Sequence, residues 1–154
     1  MPERNSATAV ADERELVINR TFDAPRELVW KAWTVDMAKW SAPRGFTMPV
    51  SEGDLRVGGK WRAMMKDPGG KELWLGGEYK EIVPPERLVF THAWDNEKGQ
   101  PGAESLVTVV LTERGDKTDM MFKQTGFTSI ESRNGHSEGW TECFDILDEI
   151  LAGD

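Results

Sequence analysis

The chain has 154 residues, a formal net charge of −8 and 38% apolar residues. This length suits one domain with a single core, and the acidic charge argues against nucleic acid and anionic membrane surfaces as partners, because both bind clustered Lys and Arg. The aromatic composition is unusual, with seven Trp and one Tyr, and such large side chains fill cores or line ligand pockets.

Cysteine content and hydropathy indicate the cellular setting. Cys143 is the only cysteine, so an intramolecular disulfide is excluded, and its apolar helical surroundings indicate a small buried hydrophobe rather than a nucleophile. No apolar run reaches the length of a membrane span, and the N-terminus lacks the pattern of a signal peptide. We therefore expect a cytoplasmic protein that does not insert into membranes.

The N-terminal part predicts a tail, a strand and two short helices. We interpret the polar stretch Met1–Glu13 as a flexible tail that precedes a single domain over residues 14–154. The alternating segment Arg14–Phe22 predicts the first strand. Asp23 is a candidate cap and Pro25 a typical first-turn residue for a helix, and a second short helix is predicted directly after it.

Between Phe46 and Phe127 the chain is strand and turn almost throughout. Asp67–Gly70 predicts a hairpin turn, and Pro84-Pro85 predicts a later corner. About six consecutive antiparallel strands are expected here. The fold class is therefore predicted as α+β, with a curved antiparallel sheet of about six to seven strands.

Alternation within the strands predicts which side chains share a face. The three clearest sets are Trp61, Ala63 and Met65; Leu88, Phe90, His92 and Trp94; and Met120, Phe122 and Gln124. Two of these sets carry aromatic and polar side chains together, which is typical of a pocket wall.

The last predicted helix, Arg133–Ala152, is amphipathic. Its apolar stripe, at steps of three and four, consists of His136, Trp140, Cys143, Phe144, Leu147 and Leu151. A helix that only closes a core needs neither His nor Trp. We therefore interpret the first half, which Gly135 and Gly139 weaken, as the roof of a cavity and the second half as core.

Five separated segments of the chain together carry a resemblance to a known family. They are FDAPRELVWKAWTVD with KWSAP after it, DLRVGGKWRAMM, GGEYKEIVPPERLVFTHAW, TDMMFKQTGF and HSEGWTECFDILDEIL. Their order resembles the START/Bet v 1-like (SRPBCC, helix-grip) superfamily, and within it the small bacterial proteins related to the C-terminal domain of the activator of Hsp90 ATPase. The resemblance implies a sheet wrapped around a long C-terminal helix, with a cavity between them.

The resemblance also implies which residues face the cavity. Matched motif by motif, it places Trp140 on the helix, Trp61, Phe90, Trp94 and Phe122 on the strands, and Trp40 at the mouth. With the polar candidates and one further helix residue, the predicted ligand-cavity residues are Trp40, Trp61, Tyr79, Phe90, His92, Trp94, Phe122, Gln124, His136, Trp140 and Phe144.

Three functions stay open, because fold alone does not define function. The first is a protein that binds a small apolar, aromatic or lipid-like molecule in the cavity without catalysis. The second is a polyketide cyclase/aromatase-like or hydrolase-like enzyme, which requires two of the residues His92, His136, Tyr79 and Gln124 to converge on one ligand position. The third is a co-chaperone or stress-response module that acts with an Hsp90-type chaperone, although the co-chaperones that the chain resembles carry a further N-terminal domain in place of this chain's short tail.

The sequence contains none of the motifs of common catalytic or cofactor sites. No serine has the strand–turn–helix setting of a nucleophile elbow, and neither Gly-Gly pair is a phosphate loop. His136 and Glu138 diverge on a helix and do not form a zinc pair. We therefore expect no catalytic residue, cofactor or metal, and a homodimer is compatible with the sequence.

Overall fold

One antiparallel sheet of seven strands dominates the computed structural model, which describes residues 14–152. The strands are β1 (Glu15–Phe22), β2 (Thr47–Gly53), β3 (Lys60–Lys66), β4 (Glu72–Val83), β5 (Arg87–Asp95), β6 (Pro101–Arg114) and β7 (Lys117–Thr125), and the helices are α1 (Arg26–Thr34) and α2 (Ile130–Ala152). The order across the sheet is β1-β7-β6-β5-β4-β3-β2. The predicted α+β helix-grip fold is confirmed, whereas the predicted tail Met1–Glu13 lies outside the described residues.

The segment after β1 differs from its prediction in two ways. Asp23 does not cap α1. The residue at the cap position is Pro25, whose carbonyl accepts the N–H groups of Leu28 and Val29 and whose side chain makes no capping bond. The second predicted helix is a single 3₁₀ turn, Met37–Lys39. The predicted segment, Asp36–Trp40, is too short to sustain an α-helix. The hydroxyl and the backbone N–H of Ser41 both donate to Met37 O and end the turn.

Helix α2 begins at Ile130, three residues before its predicted start. The hydroxyl of Ser129 accepts the backbone N–H of Ser132 at 3.0 Å, and the Ser129 carbonyl accepts the N–H of Arg133. This is the bonding pattern of an N-cap serine. Neither helix of the described range is long and apolar enough to cross a membrane.

The pairing between β4 and β5 opens at one point. The backbone N–H of Glu78 donates to the hydroxyl of Thr91, and the carbonyl of Thr91 accepts the indole N–H of Trp61 at 3.1 Å. Gly77 allows the backbones of β4 and β5 to lie this close together, because a Cβ at this position would lie 1.9 Å from the Thr91 carbonyl oxygen. The opening therefore fixes the ring of Trp61 against the sheet.

An aromatic cluster between the sheet, α1 and α2 forms the centre of the core. Trp33 of α1 lies in its middle, with ring centroids 4.8 Å from Trp40, 5.8 Å from Trp140 and 6.2 Å from Phe122. Phe144 completes the cluster from α2. Because these rings are buried against one another, they fill the space beneath the second half of α2.

Candidate functional site

A cavity of about 430 Å³ lies between strands β2–β5, the segment that precedes β2, and the first half of α2. This volume is within the range of small-molecule pockets. The lining residues are Met37, Ser41, Pro43, Phe46, Met48, Ser51, Trp61, Ala63, Met65, Leu73, Leu75, Phe90, His92, Trp94, Glu131, Ser132, Gly135, His136, Gly139, Trp140 and Cys143. Most of these side chains are aromatic, aliphatic or thioether groups, so the cavity is apolar.

Two glycines keep the helical wall of the cavity open. Gly135 and Gly139 lie one turn apart on the α2 face that borders the cavity, and a Cβ built on either would meet no atom within 4 Å. Glycine inside a helix costs about 1 kcal/mol relative to alanine. Side chains at these two positions would extend into the cavity, and their absence leaves its volume free.

The indole groups in the wall present ring faces rather than donors to the cavity. Trp61 donates to Thr91 O, as described above, Trp94 donates to Nε2 of His136 at 3.0 Å, and Trp140 donates to Oε1 of Gln124 at 2.9 Å. Because each N–H is already bonded to protein, the three rings are held in place and offer apolar surface.

His136 has no free ring nitrogen. Its Nε2 accepts the Trp94 N–H, and its Nδ1 lies 2.8 Å from the carbonyl of Ser132. This pattern assigns the proton to Nδ1, which donates to the carbonyl, while the lone pair of Nε2 accepts. His136 therefore connects α2 to the end of β5 through its bond to Trp94.

His92 is the polar group that stays available in the cavity wall. Its side chain is 5% exposed, and its ring centroid lies 5.7 Å from that of Trp94 and 5.9 Å from those of Trp61 and His136. No other residue within 14–152 is hydrogen-bonded to its ring nitrogens. Burial lowers the pKa of His92 to about 3, with a further lowering by His136 and a small opposing effect of its own backbone. The ring is therefore neutral near pH 7, with one donor and one acceptor.

The eleven predicted cavity residues fall into two groups. Six line the cavity, namely Trp61, Phe90, His92, Trp94, His136 and Trp140. The other five do not line it, namely Trp40, Tyr79, Phe122, Gln124 and Phe144, and their placement at the cavity is corrected. That the first six bind a ligand stays a prediction.

The five corrected residues lie in the core for identifiable reasons. The indole of Trp40 donates to Ala32 O, which turns the ring inward instead of toward the mouth. Phe122 and Phe144 are fully buried and pack against the ring of Trp140, which itself lines the cavity; the Phe122 and Trp140 centroids are 4.8 Å apart. These residues support the wall from behind.

The two polar residues of that group are also buried away from the cavity. Gln124 is fully buried, where its side-chain amide joins Trp140 to the hydroxyl of Ser105. Tyr79 packs its ring against the edge of Phe90, with its hydroxyl next to Gly53. Burial raises the pKa of the Tyr79 phenol. Neither side chain can reach the ligand position that His92 borders.

Three further lining residues follow the same sequence patterns as the predicted ones. Ala63 and Met65 share the alternating face of Trp61, and Cys143 lies at helical spacing from Trp140. The segment that includes Phe46 and Met48 follows no such pattern, because its path across the cavity depends on tertiary contacts. Arg44 in this segment is bonded to α2 twice, through its backbone N–H to Glu142 at 2.6 Å and through its guanidinium to Glu149.

The geometry limits the chemistry available at the cavity. Burial raises the pKa of the Cys143 thiol to about 12, with a smaller contribution from Glu142, so the thiolate is scarce near pH 7. Within residues 14–152 no three His, Cys, Asp or Glu side chains are placed to hold a metal ion. The arrangement can bind and orient an apolar molecule, with His92 as the hydrogen-bonding group.

Comparisons with known proteins agree with this architecture. The family model described as activator of Hsp90 ATPase homolog 1-like protein matches residues 23–152. A comparison with functionally curated proteins finds no match.

Three of the solved structures that the chain resembles are bacterial proteins of similar length. A Chromobacterium violaceum protein has 27% identity and a TM-score of 0.83, over 92% of this chain and 99% of that one. A Silicibacter pomeroyi protein, described as AHSA1, has 26% identity and a TM-score of 0.80, over 90% and 97%. An Arthrobacter aurescens protein with 24% identity and a TM-score of 0.83, over 96% and 94%, shows the shared fold.

Proposed function

The chain belongs to the activator of Hsp90 ATPase homolog 1-like family, and we propose that this member binds one small, largely apolar molecule in the cavity between the sheet and α2. The observation that carries the proposal is the cavity of about 430 Å³, left open among side chains large enough to fill it. The cavity is partly open to solvent, so a molecule can enter it, and a concave apolar site of this size is the usual form of a small-molecule pocket. An apolar cavity of this size is therefore better suited to a ligand than to structural support.

The bonding of the wall supports the proposal. Trp61, Trp94 and Trp140 are each held by a hydrogen bond to protein, so the cavity does not depend on a ligand for the orientation of these rings. Such a preformed site loses little conformational entropy on binding. Gly135 and Gly139 act in the same direction, because alanine at either position would favour the helix and narrow the cavity.

The expected affinity follows from the apolar area that a ligand would bury. A bicyclic aromatic molecule that buries about 300 Å² gains roughly 7 kcal/mol at 25 cal/mol per Å². Part of this gain offsets the translational and rotational freedom lost on association. We therefore expect dissociation constants on the order of micromolar to millimolar for generic aromatic probes and tighter binding for the natural ligand.

A fluorescence titration with N-phenyl-1-naphthylamine tests the proposal, because this uncharged probe becomes more fluorescent in apolar surroundings. Gly139→Leu should fill the cavity from α2, and Thr141→Leu is the matched control, since Thr141 is an exposed residue on the same helix that does not line the cavity. We expect saturable one-to-one binding to the wild type and to Thr141→Leu, and at least tenfold weaker binding to Gly139→Leu.

Two results would contradict the proposal. One is a wild-type protein that shows no saturable change in probe fluorescence. The other is a folded Gly139→Leu variant that binds the probe as tightly as the wild type, which would place the probe outside the cavity.

A reaction at this site has less support than binding. Catalysis of the cyclase or hydrolase type requires at least two polar groups directed at one ligand position. Of the four candidate residues, His92 alone offers ring nitrogens to the cavity, whereas both nitrogens of His136 are engaged and Tyr79 and Gln124 lie in the core. The required second group is therefore missing from this set. An Hsp90-type chaperone partner and a homodimer stay predictions.

A further inference from the structure

The buried polar groups of the cavity wall differ in whether they have partners. The hydroxyl of Ser41 donates to Met37 O, and the indole N–H of Trp140 donates to Gln124. Among the described residues, His92 is the one buried polar side chain of the wall with no other residue bonded to its polar atoms. Apart from a contact with its own backbone, the ring is unbonded and borders the cavity. One donor and one acceptor of His92 are therefore available to a ligand there.

The surroundings of His92 define the chemistry of that partner. No Lys or Arg lines the cavity, and its one acidic lining residue, Glu131, is exposed in the first turn of α2. A ligand carboxylate at His92 would therefore be buried among Trp61, Trp94 and Trp140 without a counter-charge, at a cost of several kcal/mol. An ammonium group at His92 would also lack a free counter-charge, because Asp95 of the adjoining chamber is already paired with Arg62. A neutral oxygen or amide group needs no counter-charge.

The space next to His92 favours one orientation of a bound ligand. A smaller chamber of about 230 Å³ borders the cavity at His92, Trp94 and His136, and its wall includes the polar residues Asn96 and Ser105. Most of the other residues that line the cavity, such as Met65 and Leu73, are apolar. The polar end of a bound molecule is therefore favoured at the His92 end.

From these observations we infer that the ligand is an uncharged molecule with an apolar body and one hydrogen-bonding group, such as a hydroxyl, carbonyl or amide, and that His92 binds this group. The inference rests on the proposed ligand-binding function and adds the ligand class and the residue that selects it. It predicts discrimination against carboxylates and amines of the same shape.

Three matched probes test the inference by isothermal titration calorimetry: 2-naphthol, 2-methylnaphthalene and 2-naphthoate. The wild type should bind 2-naphthol at least as tightly as the more hydrophobic 2-methylnaphthalene and should bind 2-naphthoate at least tenfold more weakly than 2-naphthol. In His92→Phe the affinity ratio of 2-naphthol to 2-methylnaphthalene should fall at least tenfold, while 2-methylnaphthalene still binds.

A second measurement on the wild type keeps the test independent of the variant's folding. The imidazole ¹⁵N resonances of His92 should shift on saturation with 2-naphthol, as expected for a new hydrogen bond, and should change much less with 2-methylnaphthalene. Equal affinities for 2-naphthol and 2-naphthoate, or an unchanged His92 imidazole with bound 2-naphthol, would overturn the inference while the ligand-binding function stands. Binding of none of the three probes would overturn the proposed function and this inference with it.

Discussion

Trp140 of α2 donates its indole N–H to Oε1 of the fully buried Gln124 on β7 at 2.9 Å. The Nε2 of Gln124 donates to the hydroxyl of Ser105 at 2.8 Å, and this hydroxyl donates to the carbonyl of His92 at 3.1 Å. This relay connects the helix to three adjacent strands. Trp140 therefore has two roles, because one face of its ring borders the cavity while its N–H anchors α2 to the sheet.

The relay predicts a specific stability loss in Trp140→Phe. Phenylalanine keeps an aromatic wall but leaves Oε1 of Gln124 buried without a donor, which costs about 1–3 kcal/mol of unfolding free energy. Urea unfolding of Trp140→Phe, Gln124→Met and the double variant should show a coupling of at least about 1 kcal/mol, because removing both partners costs less than the sum of the single changes. Additive effects would mean that the bond contributes nothing of its own.

The two cavity glycines predict stabilising substitutions. Gly135→Ala and Gly139→Ala should each raise the free energy of unfolding by up to about 1 kcal/mol, because alanine favours the helix and its Cβ meets no atom within 4 Å. Gly126→Ala is the contrasting control. Its φ is +99° and a Cβ there would lie 3.2 Å from Glu104 O, so this change should be destabilising. Thermal unfolding measures all three, and a loss of stability in both helix variants would show that the helical wall is already filled.

His92 predicts a pH dependence of stability. Its pKa is about 3 in the folded protein and 6.5 for a free side chain, so between these values the unfolded chain binds a proton that the folded protein does not. Stability is lost as the pH falls from 6.5 toward 3, by about 1.4 kcal/mol per pH unit from this group.

A comparison with His92→Gln isolates this contribution, since glutamine does not titrate. The difference in unfolding free energy between wild type and His92→Gln should change by about 1.4 kcal/mol per unit between pH 6 and pH 4, against the wild type at the lower pH. A difference that is independent of pH would show that His92 is protonated to the same extent in both states.

Cys143 predicts low chemical reactivity and serves as a reporter of the cavity. Its thiol pKa of about 12 makes the thiolate on the order of a thousandfold scarcer at pH 8 than for a free cysteine. Alkylation by iodoacetamide, followed by intact-protein mass spectrometry, should therefore be slow in the native state and rapid in denaturant. Saturation with 2-methylnaphthalene should slow it further, because Cys143 lines the cavity. Rapid native-state alkylation would contradict its burial.

The fold could be predicted from the sequence because its signals are local. Alternation located the strands, and spacing at three and four located α2. The capping bond of Ser129 and the reduction of the second helix to the turn Met37–Lys39 were not predicted, since both depend on contacts at element ends.

The site was predicted in part: six of the eleven predicted residues line the cavity and five do not, and one physical reason separates the two groups. Alternation shows which face of a strand a side chain shares but not how deep it lies under the opposing helix. Phe122 and Gln124 share the inner face of β7, yet Trp140 of α2 covers them. Phe90 and His92 lie on β5, where Trp140 borders the same cavity without covering it; the His92 and Trp140 ring centroids are 6.3 Å apart.

A crystal structure of the wild type with 2-naphthol tests the central claim most directly. We predict electron density for one naphthalene ring inside the cavity, next to Phe90 and Trp140, with its oxygen about 3 Å from a ring nitrogen of His92. The claim would be contradicted by an empty cavity at saturating 2-naphthol, or by a His92 ring whose nitrogens are both hydrogen-bonded to other groups of the protein.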